Sequence, residues 1–287
     1  MGILIGAHDR VIIQGITGGS GRTTAERMLE HRTPIVGGAT PGKGGQRVAG
    51  LPVFDSVRQI VDELGATASF ITVPPAFTRD ACLEAIDAGL RTVVVYTERV
   101  PLHDTMQICA CARGRGTLVL GPNSAGCVTP GAANLSDLND ANLRPGRIGI
   151  VSKSGTLTYE VIDGLNRLGL GQSTVVCLGG DPLIATHFAD VLPLFDADAE
   201  TDAVILIGEI GGTAELAAAA VARQMTKPVV AYVAGRSAPA GKRMGHAGAI
   251  IERGQEAAAV KIEAFREAGV RVADLVTEVA PLVAASL

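Results

Sequence analysis

A chain of 287 residues has room for two domains of ordinary size, and its 47% hydrophobic and 19% charged side chains exclude a disordered chain. The net charge of -4, the lack of any Lys/Arg run and the absence of Trp argue against a nucleic-acid surface. The stretch Met1 to Arg10 has neither the basic flank nor the apolar core of a signal peptide. Gly6 stands where a myristoylation signal needs Ser or Thr, and no apolar run is long enough for a bilayer. The expected compartment is the cytoplasm, with no membrane partner.

Short β-branched runs alternate with helical patterns, which predicts stacked βαβ units. In the first half the expected strands are Val11–Gln14, Pro34–Gly37, Ala68–Val73, Thr92–Thr97 and Thr117–Leu120. Helical stretches fall at Arg22–His31, Ser56–Leu64 and Arg79–Ala88. The segment Leu143-Arg144-Pro145-Gly146 reads as a break. Strands then resume at Ile148–Val151, Val175–Leu178, Ala203–Ile207 and Pro228–Val233. The fold class is therefore α/β: two open, doubly wound parallel-sheet domains, divided at 1–145 and 146–287, without a low-complexity linker. Such sheets bind ligands at the carboxyl ends of their strands, so the loops after each strand carry the functional information.

The first strand runs into Gly15-Ile16-Thr17-Gly18-Gly19-Ser20-Gly21 and then a helix. Glycines let a ligand approach the backbone, and the helix start offers free N–H groups to an anion. The spacing lacks the first G-x-G of the dinucleotide fingerprint, and a purely structural tight turn is the alternative. After the second strand a nicotinamide site would place an Asp or Glu. This chain has Gly37-Gly38-Ala39-Thr40-Pro41-Gly42-Lys43-Gly44-Gly45 instead, where Lys43 suits a phosphate or is simply a solvated loop side chain. Several phosphates without an acidic ribose partner fit coenzyme A better than NAD.

In the second half His246 lies in Gly241-Lys242-Arg243-Met244-Gly245-His246-Ala247-Gly248-Ala249. Flanking glycines open it to a partner, and a neutral imidazole with a fixed tautomer is a nucleophile toward phosphorus. Glu209, at the end of the apolar run Ala203–Gly208, is the candidate that orients it, a helix cap or solvated carboxylate being the alternative. Ser152-Lys153-Ser154-Gly155-Thr156 places N-cap residues at a strand-to-helix turn, for capping or for a phosphate. His8, His31 and His103, near expected element ends among polar residues, read as surface groups. Cys82, Cys109, Cys111, Cys127 and Cys177 are scattered without metal-ligand spacing, so no metal is expected.

These segments, with Gly121-Pro122-Asn123, Gly179-Gly180-Asp181-Pro182 and Gly208-Glu209-Ile210-Gly211-Gly212, resemble the alpha subunits of succinyl-CoA synthetase across essentially the whole chain. The resemblance implies a Rossmann-like CoA-binding domain followed by a flavodoxin-like ligase domain. It implies that Thr17, Gly18, Gly19, Ser20, Lys43, Tyr96, Thr97 and Glu98 bind CoA. By the same likeness His246 is the phosphorylated residue and Glu209 orients it. Asn123, Ser154, Gly155, Thr156 and Tyr159 would serve phosphate or the acid, with Tyr159 at a site shared with a partner chain. The implied enzyme is a nucleotide-dependent acid–CoA ligase that forms acyl-CoA, succinyl-CoA first among the candidates, through an acyl phosphate. ATP or GTP with Mg2+ would sit on an ATP-grasp beta subunit, in a heterodimer or heterotetramer, since this chain has no G-x-x-x-x-G-K-[ST] loop. Departures at Arg99, Ala125, Asn134–Asp140 and Ala185 leave room for a paralogue acting on another acid, such as malate or citrate. A nicotinamide-dependent oxidoreductase is the rival from another class.

Overall fold

The computed structural model describes residues 2–239, 241–251, 254 and 257–287. The chain runs β1 (Val11–Gln14), α1 (Gly19–Glu30), β2 (Ile35–Ala39), β3 (Arg47–Val48), β4 (Leu51–Phe54), α2 (Val57–Leu64), β5 (Ala68–Ile71), α3 (Pro75–Asp87), β6 (Thr92–Val95), α4 (Leu102–Arg115) and β7 (Leu118–Leu120). It continues through β8 (Gly126–Thr129), β9 (Ala133–Ser136), β10 (Pro145–Ser152), α5 (Gly155–Arg167), β11 (Gln172–Cys177), α6 (Phe188–Ala197), β12 (Ala203–Glu209), α7 (Ala214–Ala222), β13 (Val229–Ala234), α8 (Ala258–Glu267), β14 (Arg271–Ala273) and α9 (Val279–Ala284).

The first sheet has the order β3-β4-β2-β1-β5-β6-β7, and apart from the antiparallel β3–β4 hairpin its pairs are parallel. Without the edge strand β3, this is the Rossmann order, with the direction of winding reversing between β1 and β5. Central strands buried on both faces must be apolar throughout, and β1 is Val-Ile-Ile-Gln with all four residues buried. Its one polar member, Gln14, is satisfied by donating to Ala81 O and accepting from Ser69 Oγ.

The second sheet has the order β14-β13-β12-β10-β11-β8-β9. Its five parallel strands follow the flavodoxin order, with the reversal between β10 and β12, while β8 and β9 add an antiparallel edge. Sheet membership thus changes after β7, at Gly126, well before the expected division at 145/146. Pro145 and Gly146 are not a break at all: they open β10, a position where proline is tolerated because it starts the strand.

The connection between the sheets is stitched to both. Gly121 donates to Leu178 O at 2.8 Å, Asn123 N–H to Thr97 O at 2.9 Å, and Ser124 Oγ to Cys177 O at 2.6 Å. One cluster of buried side chains runs from Val11, Ile13 and Phe70 through Leu120 and Cys127 to Val151, Val176 and Leu206. A shared core of this kind fixes the two switch points relative to one another.

Candidate active site

The first switch point holds an elongated cleft of about 760 Å³ lined by Gln14, Gly15, Thr17, Gly18, Ala39, Thr40, Pro41, Thr72, Val73 and Pro74, with α3 along one side. Gly15 turns the chain with φ +84°, and a Cβ on Gly21 would stand 2.2 Å from Gly15 O, so only glycine lets α1 pack onto the strand end. Gly19 faces open space, and Gly18, the N-cap of α1, brings no side-chain cap. Its first N–H groups are left for a ligand. Thr17 Oγ1 reaches Thr40 Oγ1 at 3.2 Å, which ties the glycine turn to the loop after β2. Lys43 lies exposed further along that loop and lines neither this cleft nor its neighbour.

The neighbouring cleft, about 700 Å³, shares Thr72, Val73 and Pro74 with the first and leads to the second sheet. Ser20, Tyr96, Thr97, Glu98 and Arg99 line one side; Asn123, Lys153, Gly155, Thr156 and His246 line the other. The structure therefore brings most of the residues singled out in both halves of the sequence to one cavity. Thr17 and Gly18 stay in the first cleft, Lys43 lies outside both, and Tyr159 stands apart. It borders a separate hollow with Asn142, Glu160, Asp163 and Asn166, and its hydroxyl accepts from Asn139 N–H at 2.8 Å, bracing the loop after β9.

The two candidate groups for chemistry meet as expected. His246 Nδ1 and Glu209 Oε2 are 2.8 Å apart, with the imidazole half-buried. Glu209 is the last residue of β12, at the switch point, where the strand ends and Ile210-Gly211-Gly212 turn away. Hydrogen bonding to Glu209 raises the His246 pKa above its ordinary value, and burial and the Lys153 ammonium only partly oppose it. The carboxylate accepts a hydrogen bond from Nδ1–H, and in the neutral ring this leaves the lone pair on Nε2. Gly180 makes room for the ring: a Cβ there would lie 2.5 Å from His246 Cγ and Cδ2. Opposite, Ser154 caps α5, its Oγ accepting from Leu157 N–H at 3.2 Å, which directs the helix N-terminus at Gly155 and Thr156 into the cleft.

Sequence reasoning missed two further supports. Burial pushes the Asp181 carboxyl up, and the Asn123 side chain and the backbone N–H groups of Arg99 and Val100, which it faces, only partly oppose that. Asp181 clasps the loop after β6 to the histidine side. Beneath Glu209, the buried Glu215 joins Lys153 and Lys261, and it receives the Glu209 N–H at 3.2 Å. Burial disfavours the Glu215 carboxylate, yet the two ammonium groups outweigh it and hold its pKa below the ordinary range. The only signal in the sequence was Lys153 standing directly before a helix start.

Among the described residues no cluster of His, Cys, Asp and Glu could hold a metal ion, and no helix is long and apolar enough to cross a membrane.

The first cleft opens onto a histidine paired with a glutamate, and the family matches of the two halves make the chain part of a CoA-dependent ligase. Residues 7–99 match the CoA binding domain family and residues 151–271 the CoA-ligase family. The chain belongs to the alpha subunits of succinate–CoA ligase. It is 52% identical over 277 residues to succinate–CoA ligase [ADP-forming] subunit alpha 1 of Archaeoglobus fulgidus, covering 96% of this chain and 95% of that one. It is 50% identical to the alpha subunit of Methanothermobacter thermautotrophicus, covering 95% and 92%. For the alpha subunit of Staphylococcus aureus the identity is 45%, covering 97% and 93%. As an alpha subunit it works with a beta subunit, and CoA is its cosubstrate. Among solved structures, ATP citrate lyase of Methanosaeta concilii with (3S)-citryl-CoA superposes with a TM-score of 0.88 at 24% identity, over 98% of this chain and 51% of that longer one. A dinucleotide-forming acetyl-coenzyme A synthetase of Ca. Korarchaeum cryptofilum gives 0.75 at 20%, over 95% and 59%. Those two likenesses concern the fold.

Proposed function

We propose that this chain carries phosphate on His246 Nε2 in the ATP- or GTP-dependent formation of succinyl-CoA. One observation supports this above the others: the 2.8 Å contact between Glu209 and His246 Nδ1 in a cleft that also receives the α5 N-terminus. Glu209 fixes the tautomer and stabilises the imidazolium character that develops as Nε2 bonds to phosphorus. The first N–H groups of α5 hold the phosphoryl oxygens.

The CoA site runs from the glycine turn toward Tyr96, Thr97 and Glu98, with Thr17, Gly18, Gly19 and Ser20 at the phosphates. Its fit rests on three features: an uncapped helix start, open space over Gly19, and Ala39, Thr40 and Pro41 at the end of β2, where a nicotinamide site would present a carboxylate. Bound there, CoA supplies the thiol that attacks the activated acyl carbon. The shared Thr72–Pro74 wall leads from this site to His246. Asn123, Ser154, Gly155 and Thr156 serve the phosphate and the acid. In the reverse direction inorganic phosphate displaces CoA from the thioester, and Nε2 then takes the phosphoryl group while the carboxylate leaves.

The chain divides into a CoA-binding unit and a phosphohistidine unit. An ATP-grasp beta subunit supplies the nucleotide with Mg2+ in a cytoplasmic heterodimer or heterotetramer. Succinate is the favoured acid, and malate or citrate stands as the second reading because Arg99 and Ala125, at positions where the family usually has other residues, border the same cleft as His246. The test is labelling of the chain co-purified with its native partner. Wild type takes up acid-labile, base-stable phosphate from nucleotide, and His246→Asn takes up none while still binding CoA. Undiminished labelling of that variant refutes the assignment, and a panel of acids assayed by thioester formation decides the substrate.

A further inference from the structure

Lys153 is the residue at which β10 turns into α5. Its backbone N–H donates to Ile207 O at 3.0 Å, so the turn is pinned to β12. Its side chain is 11% exposed, passes over the Phe188 ring at 6.0 Å, and borders the cleft with His246, Gly155 and Thr156. On its inner side Nζ meets Glu215 Oε1 at 2.9 Å. Glu215 is fully buried, and its other oxygen takes Lys261 Nζ at 2.5 Å. Two ammonium groups thus share one carboxylate.

They are not equivalent. Lys261 uses its three N–H donors on Glu215 Oε2, Glu209 O and Gly211 O, the last two at 2.7 Å each. An ammonium has three donors, so Lys261 is saturated. Lys153 makes one ion pair among the described residues, and the cleft lies beside it. A cation held rigidly at a cavity wall, with donors unused and a helix N-terminus adjacent, lacks only the anion that would complete it.

We infer that Lys153 is a phosphate-binding residue of this site: its ammonium donates to a non-bridging oxygen of inorganic phosphate, and of the phosphoryl group once that group is on His246. The assignment rests on the carrier reading of His246. Glu215 and Lys261 are positioning residues. Glu215 anchors the stem of the cation, and Lys261 ties that anchor to the Glu209 and Gly211 carbonyls, so the phosphate grip and the histidine's partner share one support. A residue needed only to neutralise Glu215 would affect stability and leave phosphate affinity alone.

The experiment uses the chain in complex with its native beta subunit and titrates inorganic phosphate in the thioester-cleaving direction. Lys153→Met raises the KM for phosphate by about tenfold or more, the loss of one charge-assisted hydrogen bond, and leaves the KM for the thioester unchanged. Lys153→Arg, which keeps the charge, recovers most of that loss. An unchanged KM for phosphate in folded Lys153→Met overturns the inference. Should that variant fail to fold, the wild-type lysine ammonium resonances are followed during a phosphate titration, with the Lys153 signal identified by its absence in Lys153→Arg. A shift of that signal supports the inference, and a still signal overturns it. A wild-type complex that never labels His246 refutes the carrier reading instead, which separates the two failures.

Discussion

Gly180→Ala is the sharpest probe of the histidine site, because it crowds His246 without removing any polar group. The new Cβ would stand 2.5 Å from both Cγ and Cδ2 of the ring and 2.8 Å from Nε2. Carbon atoms in ordinary contact sit about 3.5–4.0 Å apart, so the ring must retreat by about 1 Å. A 2.8 Å hydrogen bond stretched by that amount is no longer one. Losing a hydrogen bond to a charged group costs about 1.5–3 kcal/mol, which is about ten- to hundredfold in rate if Glu209 acts on the transition state. Backbone contacts at this residue, from Gly180 N–H to Asn123 O and from Gly248 N–H to Gly180 O, remain available, so the fold and CoA affinity should hold. Two measurements decide. Single-turnover phosphorylation should slow by that factor, and an NMR titration should place the His246 pKa lower than in wild type, since Glu209 is the main cause of its elevation. Wild-type labelling rate together with an unshifted pKa would refute the geometry, because a ring in contact with an added methyl cannot keep both.

Three further outcomes are expected. The raised His246 pKa means the imidazolium, with no lone pair at Nε2, persists above the ordinary 6.5, so phosphorylation should rise with pH through the elevated value. Glu209→Gln should move that rise to lower pH while lowering its plateau; an unshifted profile would count against the pairing. The same pair should stabilise the fold below about pH 6.5 and lose that contribution as pH climbs through the folded pKa, which thermal melts across pH would detect. Lys43→Ala should weaken CoA binding by no more than about fivefold, and less at high salt, because the side chain is solvated and lines neither cleft. Calorimetry showing a far larger or salt-independent loss would place the ammonium inside the site.

The strands that the sequence announced are those buried on both faces. Val11–Gln14 and Ala203–Ile207 leave no other reading, because a continuous β-branched or aliphatic run suits a central parallel strand. The ones it hid are short and mixed. Arg47–Val48 and Leu51–Phe54 are split by a tight turn, and Ala133–Ser136 alternates small, polar and apolar residues, all buried because loop and sheet cover both sides. Pro145-Gly146 reads as a turn by composition, and only pairing with β11 makes it the start of a strand. The histidine pair was legible because glycines mark both of its loops. The charges beneath it were not: Lys261 shares α8 with Glu263 and Arg266, where a solvated face is the natural reading, and its partner Glu215 lies 46 residues away.

Each sheet alone would present an ordinary strand-end crevice, one for a nucleotide and one for an anion. The residues that make them a single cavity are Gly121 to Ser124, bonded to Leu178, Thr97 and Cys177, together with Asp181 reaching back to Arg99 and Val100. None of them needs to react. Placement of reacting groups within a fraction of an ångström is worth several orders of magnitude in rate, and here it is set by a packed junction with no linker to flex. It follows that the distance between the cleft of the first sheet and Nε2 is a property of the folded chain.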